Sequence, residues 1–130
     1  MGYGAYMNIT NDRTAAVTTY VVSVQCVYQN GQNGSHLEQF NDRSIAAGAT
    51  YPGGRGTYIE ANCSGTCFFQ SGDFTLKICD GANSAIIGNV SFHDMTANWE
   101  LSDNTNTDVL NVDIDNSGDQ AVITVTVAPS

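Results

Sequence analysis

The stretch DVLNVDIDNSGDQAVITVTV, residues 108–127, decides the fold class. It consists of two alternating runs, DVLNVDID and QAVITVTV, joined by the polar turn Asn116-Ser117-Gly118-Asp119, which reads as a β-hairpin. A period of two puts successive side chains on opposite faces of a sheet, so each run describes a strand with one face covered and one face wet. The same punctuation recurs along the chain. Runs of alternating apolar and polar residues are cut apart by Gly/Asn/Asp/Ser clusters, as expected of an all-β domain.

Upstream, Tyr3, Ala5, Met7 and Ile9 share one face of the first run, and Gly4, Tyr6, Asn8 and Thr10 share the other; Asn11-Asp12-Arg13 then turns the chain. The segment VTTYVVSVQCVY (17–28) predicts the longest strand, central in its sheet, with Tyr20, Val22, Val24, Cys26 and Tyr28 on one side. Asn30-Gly31 and Asn33-Gly34 form a turn-rich loop at 30–35, because Asn-Gly suits positive φ. HLEQF (36–40) predicts a short strand, and Tyr51-Pro52-Gly53-Gly54-Arg55-Gly56 a loop before the strand TYIEANC (57–63). Further strands follow at DFTLKIC (73–79), at AIIGNVSF (85–92) with Gly88 as a bulge or close-packing point, and near 97–101 around Trp99 and Leu101, before a polar loop at 102–107. About nine strands with no amphipathic helix predict a two-sheet antiparallel β-sandwich, a closed β-barrel being the alternative. No linker or repeat interrupts the pattern, so residues 1–130 read as one domain.

Charge narrows the ligand. Four Lys and Arg against 13 Asp and Glu give a net charge of −9, with Lys77 the only lysine and Arg13, Arg43 and Arg55 the only arginines. Phosphate binding needs clustered cations, which excludes nucleic acid and disfavours strongly anionic lipid. Neutral glycans, zwitterionic lipid headgroups, cations and basic partners survive. No apolar run is long enough to predict a transmembrane segment. The start MGYGAYMNITND has neither the basic nor the apolar region of a signal peptide, and Tyr6 stands where myristoylation wants Ser or Thr. The expectation is a cytosolic protein, or a secreted one whose leader has been removed.

Four cysteines, Cys26, Cys63, Cys67 and Cys79, leave the redox state open. Cys63 and Cys67 bracket a short Gly-containing loop, which suits a disulfide between them or a pair of metal ligands; free thiols are the third possibility, and zinc would lack supporting ligands. Sequons occur at Asn8, Asn33, Asn62 and Asn89, a number close to chance in so Asn-rich a chain.

Three constellations bear on chemistry. Asp113, Asp115 and Ser117, with Gly118 after them, match the first half of a calcium loop, but position twelve falls on Thr124, so calcium competes with a plain hairpin turn and no other cofactor is expected. His93-Asp94 resembles half of a catalytic dyad, and Cys63 or Cys67 with His36 or His93 would make a thiol pair. Neither is joined by a G-x-S-x-G elbow, so a solvated loop and no enzyme are expected. Tyr51 and Arg55 flank a Gly-rich turn, where an aromatic face meets apolar C–H or quaternary ammonium groups and a guanidinium binds oxygen.

AYMNITN leading into a long strand, and GDFTLKICDG followed by Trp99, give the chain a layout that resembles the aegerolysins and, more distantly, the actinoporin-type cytolysins; FHDMTANW stands where the first family carries a Trp-rich segment. That resemblance implies a lipid-recognising β-sandwich without catalysis, and no functional residue is carried over. From the residues themselves the expected function is non-enzymatic, lectin-like or cytolysin-like recognition of a neutral glycan or membrane-lipid headgroup. The expected contacts are Tyr51, Arg55, Asn30 and Asn33 in the loops at 30–35 and 51–56, with 102–107 as a third loop. The alternative is a self-associating structural protein, a homo-oligomer.

Overall fold

A computed structural model of the chain describes residues 4–29, 37–61, 67, 71–94 and 98–129. Its strands are β1 (Gly4–Asn11), β2 (Val17–Gln25), β3 (Val27–Gln29), β4 (Arg43–Ile45), β5 (Thr50–Tyr51), β6 (Thr57–Ala61), β7 (Gly72–Asp80), β8 (Ile86–Asp94), β9 (Trp99–Asn104), β10 (Leu110–Asp115) and β11 (Ala121–Val127), with one 3₁₀ turn at Glu38–Phe40. One sheet runs β10-β11-β1-β6-β3 with β5 added to β1; the other runs β4-β2-β7-β8-β9. The two pack face to face as a β-sandwich and do not close into a barrel. Among the described residues no helix is long and apolar enough to cross a membrane.

The pairing is antiparallel with one exception. The predicted hairpin forms, Leu110 opposite Val127 through Asp115 opposite Val122, but β11 then lies parallel to β1, Ala5 opposite Ala121 through Asn11 opposite Val127. The inward set of the first sheet is therefore Ala5, Met7 and Ile9 beside Ala121, Ile123 and Val125, all fully buried. Phe74, Leu76 and Ile78 of β7 and Val90 and Phe92 of β8 cover it from the other sheet. Phe74 stacks on Phe92 with 4.9 Å between ring centroids and meets Trp99 edge-on at 5.8 Å. A Cβ at Gly88 would approach Leu110 Cδ1 to 2.8 Å, so the expected close-packing point is a contact between the sheets.

Three local expectations are corrected. The run at 17–28 is not one strand: Cys26 takes φ 55°, the chain turns a corner there, and β2 and β3 belong to different sheets. A bulge between Val21 and Ser23 also shifts the phase, so that Val21 and Val24 both face the core while Val22 is 55% exposed. Residues 38–40 form the 3₁₀ turn rather than a strand, because the buried Leu37 and Phe40 are three apart and the Phe40 amide bonds the Leu37 carbonyl at 3.0 Å. Alternation along 85–92 puts Ile86 on one side with Val90 and Phe92, yet Ile86 is exposed while they are buried, since the β7–β8 register shifts between Ile78 and Cys79.

Asparagine side chains close the seams that strands leave open. Asn11, fully buried, donates to the carbonyls of Ala15, Ile45 and Ala46 and accepts from the Arg13 amide, which organises the predicted turn. Asn116 Oδ1 accepts from the Trp99 amide at 3.0 Å and its Nδ2 donates to the Trp99 carbonyl at 3.1 Å, imitating a strand partner for β9. Asn104 Nδ2 and Asn106 Nδ2 likewise bond the carbonyls of Leu110 and Ile87. Each supplies partners to backbone groups that would otherwise lose water without replacement.

Candidate functional site

The loop at 52–56 is held in one shape by its glycines and by β1. Gly53, Gly54 and Gly56 take φ of 90°, 58° and 102°, a region that side chains disfavour. At Gly56 a Cβ would come within 2.8 Å of the Met7 carbonyl oxygen, so the backbone can lie this close to β1 only without a side chain. From β1, Asn8 Oδ1 accepts from the Gly53 amide at 2.8 Å and Asn8 Nδ2 donates to the Gly54 carbonyl at 3.2 Å. The effect is to fix where Arg55 projects.

Arg55 lies over the ring of Tyr6, its guanidinium carbon 4.1 Å from the ring centroid. Tyr6 stands directly opposite Tyr58 on β6 and beside Val122 on β11. The two tyrosine rings are 5.2 Å apart and inclined at 54°, and the Tyr58 hydroxyl donates to Glu60 Oε1 at 2.8 Å. A side chain at Gly4 would collide with the Tyr58 ring, so the glycine leaves the space that this ring fills. The outer face of the first sheet thus carries an aromatic pair, an exposed guanidinium stacked on it, a carboxylate on the second ring, and the exposed Val122. Arg55 makes no ion pair among the described residues, whereas Arg13 pairs with Asp80 at 3.4 Å. Its in-plane N–H groups are donors for ligand oxygens, and the tyrosine rings offer apolar contact.

The expected partner of Arg55 was Tyr51, and the two do not converge. Tyr51 pairs with Ile9, and its ring packs inward against Phe40, 6.1 Å between centroids, with Arg43 over it at 4.9 Å. Asn30 and Asn33 lie outside the described residues. Ser102–Asn104 belong to β9, and Asn104, Thr105 and Asn106 are committed to bonds with Leu110, Asn89 and Ile87. Tyr6, Asn8 and Tyr58 were not singled out from the sequence; the available signal was the alternation that puts Tyr6 and Asn8 on the polar face of β1, while their proximity to residues about fifty positions later is a matter of strand pairing.

The remaining constellations fall elsewhere. Asp113 and Asp115 are exposed on β10, and the Ser117 amide donates to Asp115 Oδ1 at 2.9 Å. The Ser117 hydroxyl, and then this amide, hold the Asp115 carboxyl below its usual value. Among the described residues no three His, Cys, Asp or Glu side chains gather where a metal ion would be held. Cys67 is bonded not to Cys63, which lies outside the described residues, but to Cys26 at the β2–β3 corner; Cys79 is a buried free thiol. His93 and Asp94 sit in β8 rather than in a loop and point to opposite faces. His93 Nδ1 meets Asp73 Oδ1 at 2.6 Å, and the Ser71 hydroxyl donates to the other oxygen of Asp73. The carboxylate lies between hydroxyl and imidazole, so the imidazole does not receive the serine proton as a nucleophile's base would. The sequons at Asn8 and Asn89 lie within β1 and β8.

Asp94 is 2% exposed and its Oδ1 has no hydrogen-bond partner. Burial pushes its pKa from 3.8 up to about 6, with His93 pulling the other way. A carboxyl that binds its proton more tightly when folded stabilises the protein at low pH and loses that contribution as pH rises through the interval from 3.8 to about 6. Asp94→Asn is expected to flatten this dependence and to raise stability at neutral pH by about 1–3 kcal/mol. Urea unfolding at pH 4 and pH 7.5 checks it; equal wild-type and variant differences between the two pH values would remove Asp94 as the cause.

No protein-family model and no curated protein sequence matches the chain. The class rests on the geometry alone: a two-sheet β-sandwich with a loop-supported aromatic and guanidinium patch on the outer face of one sheet.

Proposed function

We propose that this chain is a non-enzymatic recognition domain that binds a neutral glycan or a zwitterionic lipid headgroup on the Tyr6–Arg55–Tyr58 patch. The observation that carries the reading is the stacking of Arg55 on Tyr6 by a loop tied to Asn8, which presents oriented donors beside apolar ring faces with little freedom left to lose on binding. A sugar ring offers C–H groups to the tyrosines and hydroxyl oxygens to the guanidinium; a choline headgroup offers its quaternary ammonium to the rings and its phosphate oxygens to Arg55. The net charge of −9 favours neutral or zwitterionic ligands over polyanions. The reading assigns no cofactor and no catalytic residue, and it is compatible with the lipid recognition implied by an aegerolysin-like layout.

A glycan array run beside phosphatidylcholine vesicles tests it. Arg55→Ala and Tyr58→Ala are expected to weaken whichever ligand binds by about 1–3 kcal/mol each. Arg55→Lys is expected to recover little, because an ammonium keeps the charge but not the planar stack. Tyr51→Ala is expected to lower stability through its packing on Phe40 and to leave affinity unchanged. Full affinity in both patch variants, or no binding to either surface, overturns the assignment.

A further inference from the structure

Among the described residues, the second sheet has an edge that no strand covers. β4 pairs with β2 only along Val17–Thr19, while on the other side β7 accompanies β2 as far as Gln25. From Val21 to Gln25 the outer edge of β2 therefore has no strand partner among the described residues. The Val21 amide, which points to that side, is met by a side chain, Asn41 Oδ1 at 3.1 Å. Beside this edge lies a cleft of about 310 Å³ lined by Val21, Val22, Ser23, Val24, Glu38 and Asn41. Its lining is mixed: the half-buried Val21 and Val24, both turned toward the core by the bulge, and the exposed Val22 lie beside the polar Ser23, Glu38 and Asn41.

A strand edge without a strand partner beside a cleft that offers valine side chains suits strand addition: main-chain bonds along the edge supply affinity, and alternate side chains of the incoming segment enter the cleft. Charge decides between occupants. Glu38 is exposed on the rim and makes no ion pair among the described residues, and Asp42 is exposed just beyond it. A second copy paired edge to edge would bring a second Glu38 and Asp42 to the same place, on a protein that already carries a net charge of −9. We propose that the β2 edge from Val21 to Gln25 accepts an extended segment of a partner protein, one apolar side chain seated in the cleft and a lysine or arginine set against Glu38.

The test uses the whole chain and a fluorescein-labelled peptide, Thr-Lys-Val-Thr-Val-Lys-Thr, in an anisotropy titration at low salt. Saturable binding is expected. It should weaken at least tenfold when alternate peptide amides are N-methylated, which removes main-chain donors, and severalfold when the lysines are replaced by glutamates. Glu38→Gln should narrow the difference between the basic and acidic peptides, and Val22→Lys, at an already exposed position, should weaken the basic peptide at least tenfold while the urea unfolding midpoint stays as it was. No saturable binding up to millimolar protein overturns the proposal, as does equal affinity for the N-methylated peptide. A concentration-dependent dimer in sedimentation that Val22→Lys abolishes also overturns it, by giving the edge to a second copy.

Discussion

Phe74→Ala is expected to destabilise the protein by about 3–5 kcal/mol, a large part of the 5–15 kcal/mol by which domains of this kind are usually stable. Phe74 is 1% exposed, near the start of the central strand of its sheet, with Phe92 stacked at 4.9 Å and Trp99 edge-on at 5.8 Å. Removing the ring forfeits its burial and leaves a void between two large rings. The Trp99 backbone is held in place by Asn116, which bonds both its amide and its carbonyl, so the strand does not shift to fill the void. Urea unfolding should show a lower midpoint at unchanged slope. A double-mutant cycle with Phe92→Ala should return a coupling of about 0.5–1.5 kcal/mol for the stacked pair. A loss under about 1 kcal/mol would mean that the two sheets close over the void.

Breaking the Cys26–Cys67 bond is the second large effect. The bond spans 41 residues, and closing a loop of that length in the unfolded chain corresponds to about 4 kcal/mol of lost disorder. Its position makes the effect local as well as global. Cys26, at φ 55°, is the corner where the chain leaves one sheet for the other, and β3 beyond it pairs with β6 over only Val27–Gln29. The Cys26→Ala/Cys67→Ala variant is expected to lose about 2–4 kcal/mol, with hydrogen exchange rising first at the β3–β6 pairing. An unchanged urea midpoint together with unchanged exchange at Val27 would show that the corner holds without the bond.

Neither effect was equally readable in advance. Phe74, Leu76 and Ile78 declare their inward face by alternation, so a buried Phe74 follows from DFTLKIC itself. The partner of Cys67 does not follow. Cys63, four positions away, was the natural candidate, and only the corner at Cys26 brings the distant sulfur within reach. The candidate site divides in the same way. The turn at 53–56 was legible because clustered glycines have few other uses, and Arg55 because so acidic a chain has few cations. Tyr51 was chosen as its partner on adjacency, yet Tyr51 pairs with the inward-facing Ile9 and packs on Phe40, while Arg55 projects from the loop onto the outer face of β1. The ring that Arg55 reaches belongs to Tyr6, brought there by the β1–β6 pairing and the Asn8 contacts.

By itself, then, the sequence determined the all-β class, several turns and most inward faces, because period and turn chemistry are properties of neighbouring residues. Tertiary structure decided which strands pair, including the parallel β1–β11 contact, where bulges reverse a face, which cysteines join and which aromatic ring supports Arg55. Those outcomes depend on contacts between residues tens of positions apart, and they are selected by how two twisted sheets can bury their apolar faces together, which no local run of residues encodes.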